Sequence, residues 1–465
     1  MRMIFAWMCC IGSVFAVIGC NRQSDSSDPS AAGFQASPET TTTETGSPPE
    51  SSPTADTPMT HTEHPTPETA TPETGPDSAI GSQTNTEPPT IPADAKFVAA
   101  TGDDAWPGTE SQPWRNILPS FQKLNPGDTL VIRGGTYTAT GSSELCGDGI
   151  SPFAIVGLQG KEESWTTIMG YPGERPRLYH PDGWQTLYIC ESSYVRIRHL
   201  EVFGDANEGN TSPANGVYAV GSHHVVVEDV WSHDNGGCGI CTTDSNHVTI
   251  HGNRVWGTSH WNPYHSSGIS IYYASNEGGG DSSDGYSNRV TQNLVWNNYE
   301  DDTLGVGQEW GVTDGNGIII DRNKESGGRG RTLIRNNVLA DNGGPGVMIT
   351  ESHAVDIYHN TLYQNVRTRV PTVVNNGEIG CNGGYDIRIE GNIVVPRNDN
   401  PNLFQSFYCK DFSHANNVWV KTKAPKYGAG DISLPTASRV LNNPQLVAPA
   451  GDWTPIGKAT GRGAR

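Results

Sequence analysis

The chain has 465 residues, 55 of them glycine, a formal charge of −20, and only 34 % apolar and 17 % charged residues. Such a composition excludes a helical bundle, and the acidity excludes nucleic acid as the main partner, because phosphate binding needs a basic surface. A single long apolar run, at the N-terminus, excludes a polytopic membrane protein. What remains is an exported, Gly- and Asn-rich β protein, expected to be a monomer.

In chain order, Met1-Arg2 and the apolar run from Ile4 to Ile18 read as a signal peptide over residues 1–20. The run ends in Val17-Ile18-Gly19-Cys20, which resembles the bacterial lipobox. That resemblance implies lipidation of Cys20, anchoring to a membrane and display at the cell surface; Asn21 directs it to the outer membrane in a Gram-negative host. Residues 21–92 are Ser, Thr, Pro and Glu, with eleven acids against Arg22. Too little apolar surface is available there to offset chain entropy, so the segment is expected to be a disordered tether.

From 93 to 465 the chain reads as one domain. A helical period occurs only near Pro113–Leu124, and the rest repeats a short apolar strand, a small-residue turn and another strand. Residues 234–253 align without gaps to 341–360 with ten of twenty positions identical. The unit opens on Gly216, Gly239, Gly268, Gly317 and Gly346, in steps of 23, 29, 49 and 29 residues. A step near 23 with loop insertions is too long for a hairpin and fits one coil of a parallel β-solenoid. Asn253, Asn293, Asn337, Asn360, Asn392 and Asn417 share one place in the coil, which predicts a ladder of stacked amides.

The stretch FVAATGDDAWPGTESQPWRNILPSFQKLNPGDTLVIRGGTY looks like the opening segment of right-handed parallel β-helix proteins of the pectate-lyase-like superfamily. The resemblance implies an all-β, right-handed parallel β-helix over 93–465 with a short N-terminal capping helix. It also implies a polysaccharide-acting enzyme.

Beyond Cys9, Cys10 and Cys20, six cysteines remain, an even number that in an exported domain favours disulfides. Cys381 and Cys409 lie one coil and a small insertion apart, and Cys146 with Cys190 is the next pair. Cys238 and Cys241 are expected to be too far apart on an extended strand, about 10 Å, unless Gly239 bends the chain.

Counting from each coil glycine, residues at +1 and +3 are apolar and should face inward, leaving +2 and +4 outward. The outward +4 column runs Val220, Thr243, Tyr272, Asp321, Thr350, with Asp321 its single charge. Loops before these strands carry Trp261, His265, Glu300, Asp301, Asp302, Trp310 and Asp314; those after carry Arg322, Lys324 and Arg331. One expectation is β-elimination from a uronic-acid polysaccharide, which needs a base and positive charge on the substrate carboxylate. Asp321, Lys324, Tyr272 and Arg322 are then the catalytic candidates, and Trp261, His265, Trp310 and Arg331 the substrate-binding ones. Asp301, Asp302 and Asp314, with Glu300 and Asp321 beside them, are candidate ligands for Ca²⁺, a cation that takes clustered oxygens. A hydrolase or epimerase with paired carboxylates, Asp321 with Asp314, Asp244 or Glu351, is the alternative. A third reading is a non-catalytic glycan-binding or adhesive module that stacks sugars on its aromatic residues.

Overall fold

The computed structural model describes residues 90–139, 153–181, 183–204, 215–260, 265–275, 283–300, 312–324, 330–368, 377–397, 399, 404–420 and the backbone of 439–441. The expected signal peptide with Cys20, the expected tether up to residue 89 and Cys146 lie outside the described residues, as do Trp261, Asp301, Asp302 and Trp310. No helix among the described residues is long and apolar enough to cross a membrane.

Three parallel sheets share the work of each coil. Sheet I runs from Lys96–Val98 to Lys410–Ala415, sheet II from Phe153–Val156 to Phe404–Phe407, and sheet III from Thr136–Thr138 to Arg439–Leu441. One coil shows the plan: Ile240–Thr243 in sheet II, Asn246–His251 in sheet I and Arg254–Trp256 in sheet III, before Ile269–Tyr272 returns to sheet II. Every strand pairs in parallel with its counterpart one coil on, as His223 with Asn246 and Val225 with Val248. The fold is therefore a parallel β-helix.

Side-chain alternation sets the core. Ile269, Ile271, Ile318, Ile320, Val347 and Ile349 point into the coil and are fully buried, as the +1 and +3 positions require. Short turns fix the corners. Between sheets II and I the turn opens on a left-handed residue, Glu191, Gly221 or Asp244, followed by a serine. These serines stack: Ser192 N–H donates to Ser222 Oγ at 3.0 Å and Ser222 N–H to Ser245 Oγ at 3.1 Å. Between sheets I and III the six predicted asparagines form an unbroken ladder, each Nδ2 donating to the next Oδ1, from Asn253 to Asn293 at 3.0 Å through Asn392 to Asn417 at 2.9 Å.

A second ladder, Asn298 to Asn342 to Asn365, climbs the corner between sheets III and II and ends on Glu378. The single described helix, Ile117–Phe121, sends Ile117 and Phe121 into the core and Leu118 onto a separate cluster of Ala154, Tyr188 and Cys190.

The cysteines partly depart from expectation. Cys381 and Cys409 are bonded, with Cα atoms 6.3 Å apart. Cys190 is disulfide-bonded as well. Cys238 and Cys241 are also bonded, at a Cα separation of 6.2 Å, contrary to the reach expected of an extended strand. The strand begins only at Ile240, so Cys238 and Gly239 belong to the preceding turn and the span is shortened. Gly239 cannot be otherwise, since a Cβ there would collide with Val255.

Candidate functional site

Apart from the six-residue corner 171–176 between sheets I and III, the long loops that join described strands of different sheets fall on the two borders of sheet II. In the coil of Ile318–Asp321 the chain spends residues 297–317 before the strand and 322–330 after it, where tight corners use two residues. Both insertions border the outer face of sheet II, so that face is the candidate site.

Two columns of side chains run along it. Tyr272, Asp321, Thr350, Asn382 and Phe407 are register neighbours in one; Ser270, Ile319, Met348 and Gly380 form the other. Tyr272 and Asp321 therefore sit side by side, about 4.8 Å apart along the stack, and both are half-buried. Arg322 and Lys324 follow directly and converge on Glu351 of the next coil, at 3.6 Å and 3.8 Å. Arg322 and Glu351 both occupy the left-handed corner position, φ 55° and 44°, where Gly221 and Gly383 stand in other coils. Holding a non-glycine there costs on the order of 1 kcal/mol, and it turns both side chains toward the border of the face. Register thus sets Tyr272 beside Asp321, and Arg322 and Lys324 gather on Glu351 one coil on.

The opposite border holds a buried acid cluster. Glu300 accepts the backbone N–H groups of Ser266 at 2.9 Å, Thr313 at 3.1 Å and Asp314 at 3.2 Å, stapling two loops to each other. His265 Nδ1 lies 3.4 Å from Glu300 Oε2 and 2.8 Å from Thr313 Oγ1. Asp314 receives Ser267 Oγ–H at 3.5 Å and Thr313 Oγ–H at 3.3 Å. Burial, then the neighbouring Glu300 charge, pushes the Asp314 carboxyl up to about 7. For His265, burial pulls downward, but its contact with Glu300 outweighs it and the imidazole titrates above its ordinary value.

This arrangement revises the roles expected of His265 and Asp314. His265 supports the loops from within instead of lining the face, and the oxygens of Glu300 and Asp314 are taken by N–H and hydroxyl donors. Among the described residues no group of three or more His, Cys, Asp or Glu is placed to hold a metal ion. Asp301 and Asp302 of the expected calcium set lie outside the described residues. Arg331 also departs from expectation. It opens the sheet I strand Arg331–Arg335 and is held by Asp356 and Asp386, the latter at 2.6 Å, so its guanidinium is committed away from the face.

Nothing in the sequence marks Ser266, Ser267 and Thr313. Their contacts join loops up to 48 residues apart, with no periodic signal to mark them.

A family model described as "Pel9A-like, right handed beta helix region" matches residues 96–303. With the strand register above, this makes the chain a right-handed parallel β-helix. Solved structures with a similar fold include pectate lyase Pel9A, at 15 % identity over 73 % of this chain and 82 % of that one, TM-score 0.40. A rhamnogalacturonan lyase is similar at 12 % identity over 70 % and 87 %, TM-score 0.42. The A-module of the mannuronan C-5 epimerase AlgE4 from Azotobacter vinelandii is similar at 16 % identity over 68 % and 91 %, TM-score 0.35. No curated protein is similar enough in sequence to match the chain.

Proposed function

We propose that the protein is a polysaccharide lyase that cleaves an acidic, uronic-acid-containing glycan by β-elimination. The observation that carries this reading is the register pairing of Tyr272 with Asp321 in sheet II, with Arg322 and Lys324 following Asp321 and gathered on Glu351 of the next coil. Elimination removes the proton α to the sugar carboxylate, builds negative charge on that carboxylate, and expels the glycosidic oxygen from the next carbon. The Arg322 and Lys324 cations exchange their Glu351 partner for the sugar carboxylate and answer the developing charge there. Tyr272, acting as its phenolate, takes that proton and passes it to the departing glycosidic oxygen, with Asp321 beside it to orient the sugar ring. Electrons from the broken C–H bond form the new C=C bond as the C–O bond breaks, and the leaving oxygen takes up a proton. Arg322 and Lys324 offset Asp321 and Glu351, so this face does not add to the repulsion that the chain as a whole, at −20, exerts on a polyanion.

Incubation with pectate, alginate and chondroitin tests this. New unsaturated ends, read by ultraviolet absorbance, support elimination. Reducing ends without that absorbance favour hydrolysis instead, with Asp321 and Glu351 on neighbouring coils as the carboxylate pair. In the same reading Cys20 carries a lipid and residues 21–92 tether the domain at the cell surface; labelling with a radioactive fatty acid, lost in Cys20→Ser, tests the anchor.

A further inference from the structure

We infer that the corner formed by Gly383 and Tyr408 is a second sugar-binding subsite, where an exposed tyrosine ring holds a neighbouring residue of the same acidic glycan. This rests on the polysaccharide reading above and adds where the polymer is held beyond the reacting sugar.

The turns that build this corner, 382–385 and 407–410, both lie within the described residues. Its left-handed position is filled in successive coils by Tyr273, Arg322, Glu351, Gly383 and Tyr408. Each of the first four donates its N–H to a carbonyl of the next coil, at 2.7 to 2.9 Å. Gly383 shows that the position accepts glycine, which takes a positive φ without strain. A tyrosine held there at φ 57° costs on the order of 1 kcal/mol. Elsewhere packing offsets such a cost: Tyr194, at φ 54°, stacks on His224 at 4.3 Å, and Tyr273 leans on Tyr272 at 5.3 Å. Tyr408 is 93 % exposed, beside Phe407 at 37 %, so packing offsets almost nothing. A strained ring kept in solvent points to a ligand, and a flat aromatic surface suits the apolar face of a sugar.

The corner is hollow next to that ring. Gly383 has no side chain, so the surface dips between Glu351 and Tyr408, which stand two coils, or roughly 10 Å, apart. A Cβ on Gly383 would lie in the hollow, 3.6 Å from Glu351 Cγ and 3.8 Å from Lys324 Nζ. Lys324 and Glu351 therefore form one wall and Tyr408 the other, with half-buried Asn382 beside them in the outward column. Lys324 divides two sugars: with Arg322 it takes the carboxylate of the reacting one, and the next lies on its far side against Tyr408. The frame is fixed before the glycan arrives. Cys409, directly after Tyr408, is bonded to Cys381, and its Sγ accepts the Gly384 N–H at 3.1 Å.

Three variants of the full-length protein test this, by retardation in gels that contain pectate, alginate or chondroitin and by initial rates on the same glycans. Tyr408→Ala removes the ring. Gly383→Asn fills the hollow with a side chain that tolerates a left-handed backbone. Each should weaken binding to the glycan that retards the parent, and raise KM, roughly five- to tenfold with little change in kcat. Tyr408→Phe keeps the ring and should bind like the parent. Tyr408→Ala should also unfold at the parent's denaturant midpoint, because the exposed ring buries almost no surface. This pattern supports the subsite even if no unsaturated ends appear and the lyase reading fails. Parent affinity in either Tyr408→Ala or Gly383→Asn overturns the subsite, while unsaturated ends would still uphold the lyase. A Tyr408→Phe protein as weak as Tyr408→Ala, a lowered midpoint in Tyr408→Ala, or a parent that none of the three glycans retards overturns it too.

Discussion

Asn365 passes the second amide ladder to Glu378, its Nδ2 donating to Oε2 at 2.7 Å. Glu378 is a buried acid, and desolvation pushes it up to about 8 against a partial pull downward from Asn365. Asp314 is raised to about 7 by burial and Glu300. Both groups hold a proton in the folded chain that an unfolded carboxyl releases near pH 4. The folded state therefore binds more protons than the unfolded one between about pH 4 and 8, and stability falls as pH rises through that window. Unfolding followed by denaturant at several pH values should show a loss on the order of a few kcal/mol from pH 5 to pH 8. Glu378→Gln should flatten part of that slope and leave the protein more stable than the parent at pH 8; an unchanged slope would remove Glu378 as its source.

The first ladder makes a different prediction. Asn337 Nδ2 donates to Val290 O at 2.8 Å and to Asn360 Oδ1 at 2.9 Å, while its Oδ1 accepts from Asn293 N–H and Nδ2. Replacing it by alanine strands buried donors and acceptors on both neighbouring coils. Asn337→Ala should cost about 3 kcal/mol by denaturant midpoint, since each stranded group carries a desolvation penalty. Asn417, which receives Asn392 and passes no bond to a further amide among the described residues, should cost less when changed the same way. Equal losses at the two positions would argue that the ladder is not read coil by coil.

These contrasts show what the sequence makes legible. A strict coil period projects directly onto the amino acids, so the glycine-led strands, inward +1 and +3 positions and first Asn ladder can all be read in advance. Asn298, Asn342 and Asn365 follow the first ladder at a constant five residues, but Thr258 takes that place one coil earlier and the pattern is easy to miss. The His265–Glu300–Asp314 cluster depends on how two insertions fold against each other, and nothing local encodes that. Cys238–Cys241 escaped for a smaller reason: the strand starts two residues later than its apolar pattern suggests. Arg331 could be placed near the loops, yet its partners Asp356 and Asp386 come from the next two coils of sheet I.

The Cys381–Cys409 disulfide should matter for both stability and binding. Cys381 and Cys409 close a span of 28 residues, for which chain entropy alone gives about 3 to 4 kcal/mol. Cys409→Ser should lower the denaturation midpoint accordingly and weaken glycan binding, because Phe407 and Tyr408 precede it directly. Loss of stability with unchanged affinity would mean that the aromatic corner needs no staple.

The sharpest test of the site is Asp321→Ala. Asp321 is half-buried at the end of an otherwise apolar strand, beside Tyr272 and ahead of the Arg322–Glu351 and Lys324–Glu351 contacts. A carboxylate in such a strand costs energy, and its removal should leave thermal stability within about 1 kcal/mol of the parent or raise it slightly. Turnover should fall at least a thousandfold, the scale expected when a group that acts on the reacting sugar is lost. Tyr272→Phe should cut kcat about a hundredfold or more with little change in KM, the signature of a lost proton-transfer group. Arg322→Ala should instead raise KM as well, through the lost carboxylate contact. An Asp321→Ala protein that turned over at the parent rate would move the chemistry off the Tyr272–Asp321 pair altogether.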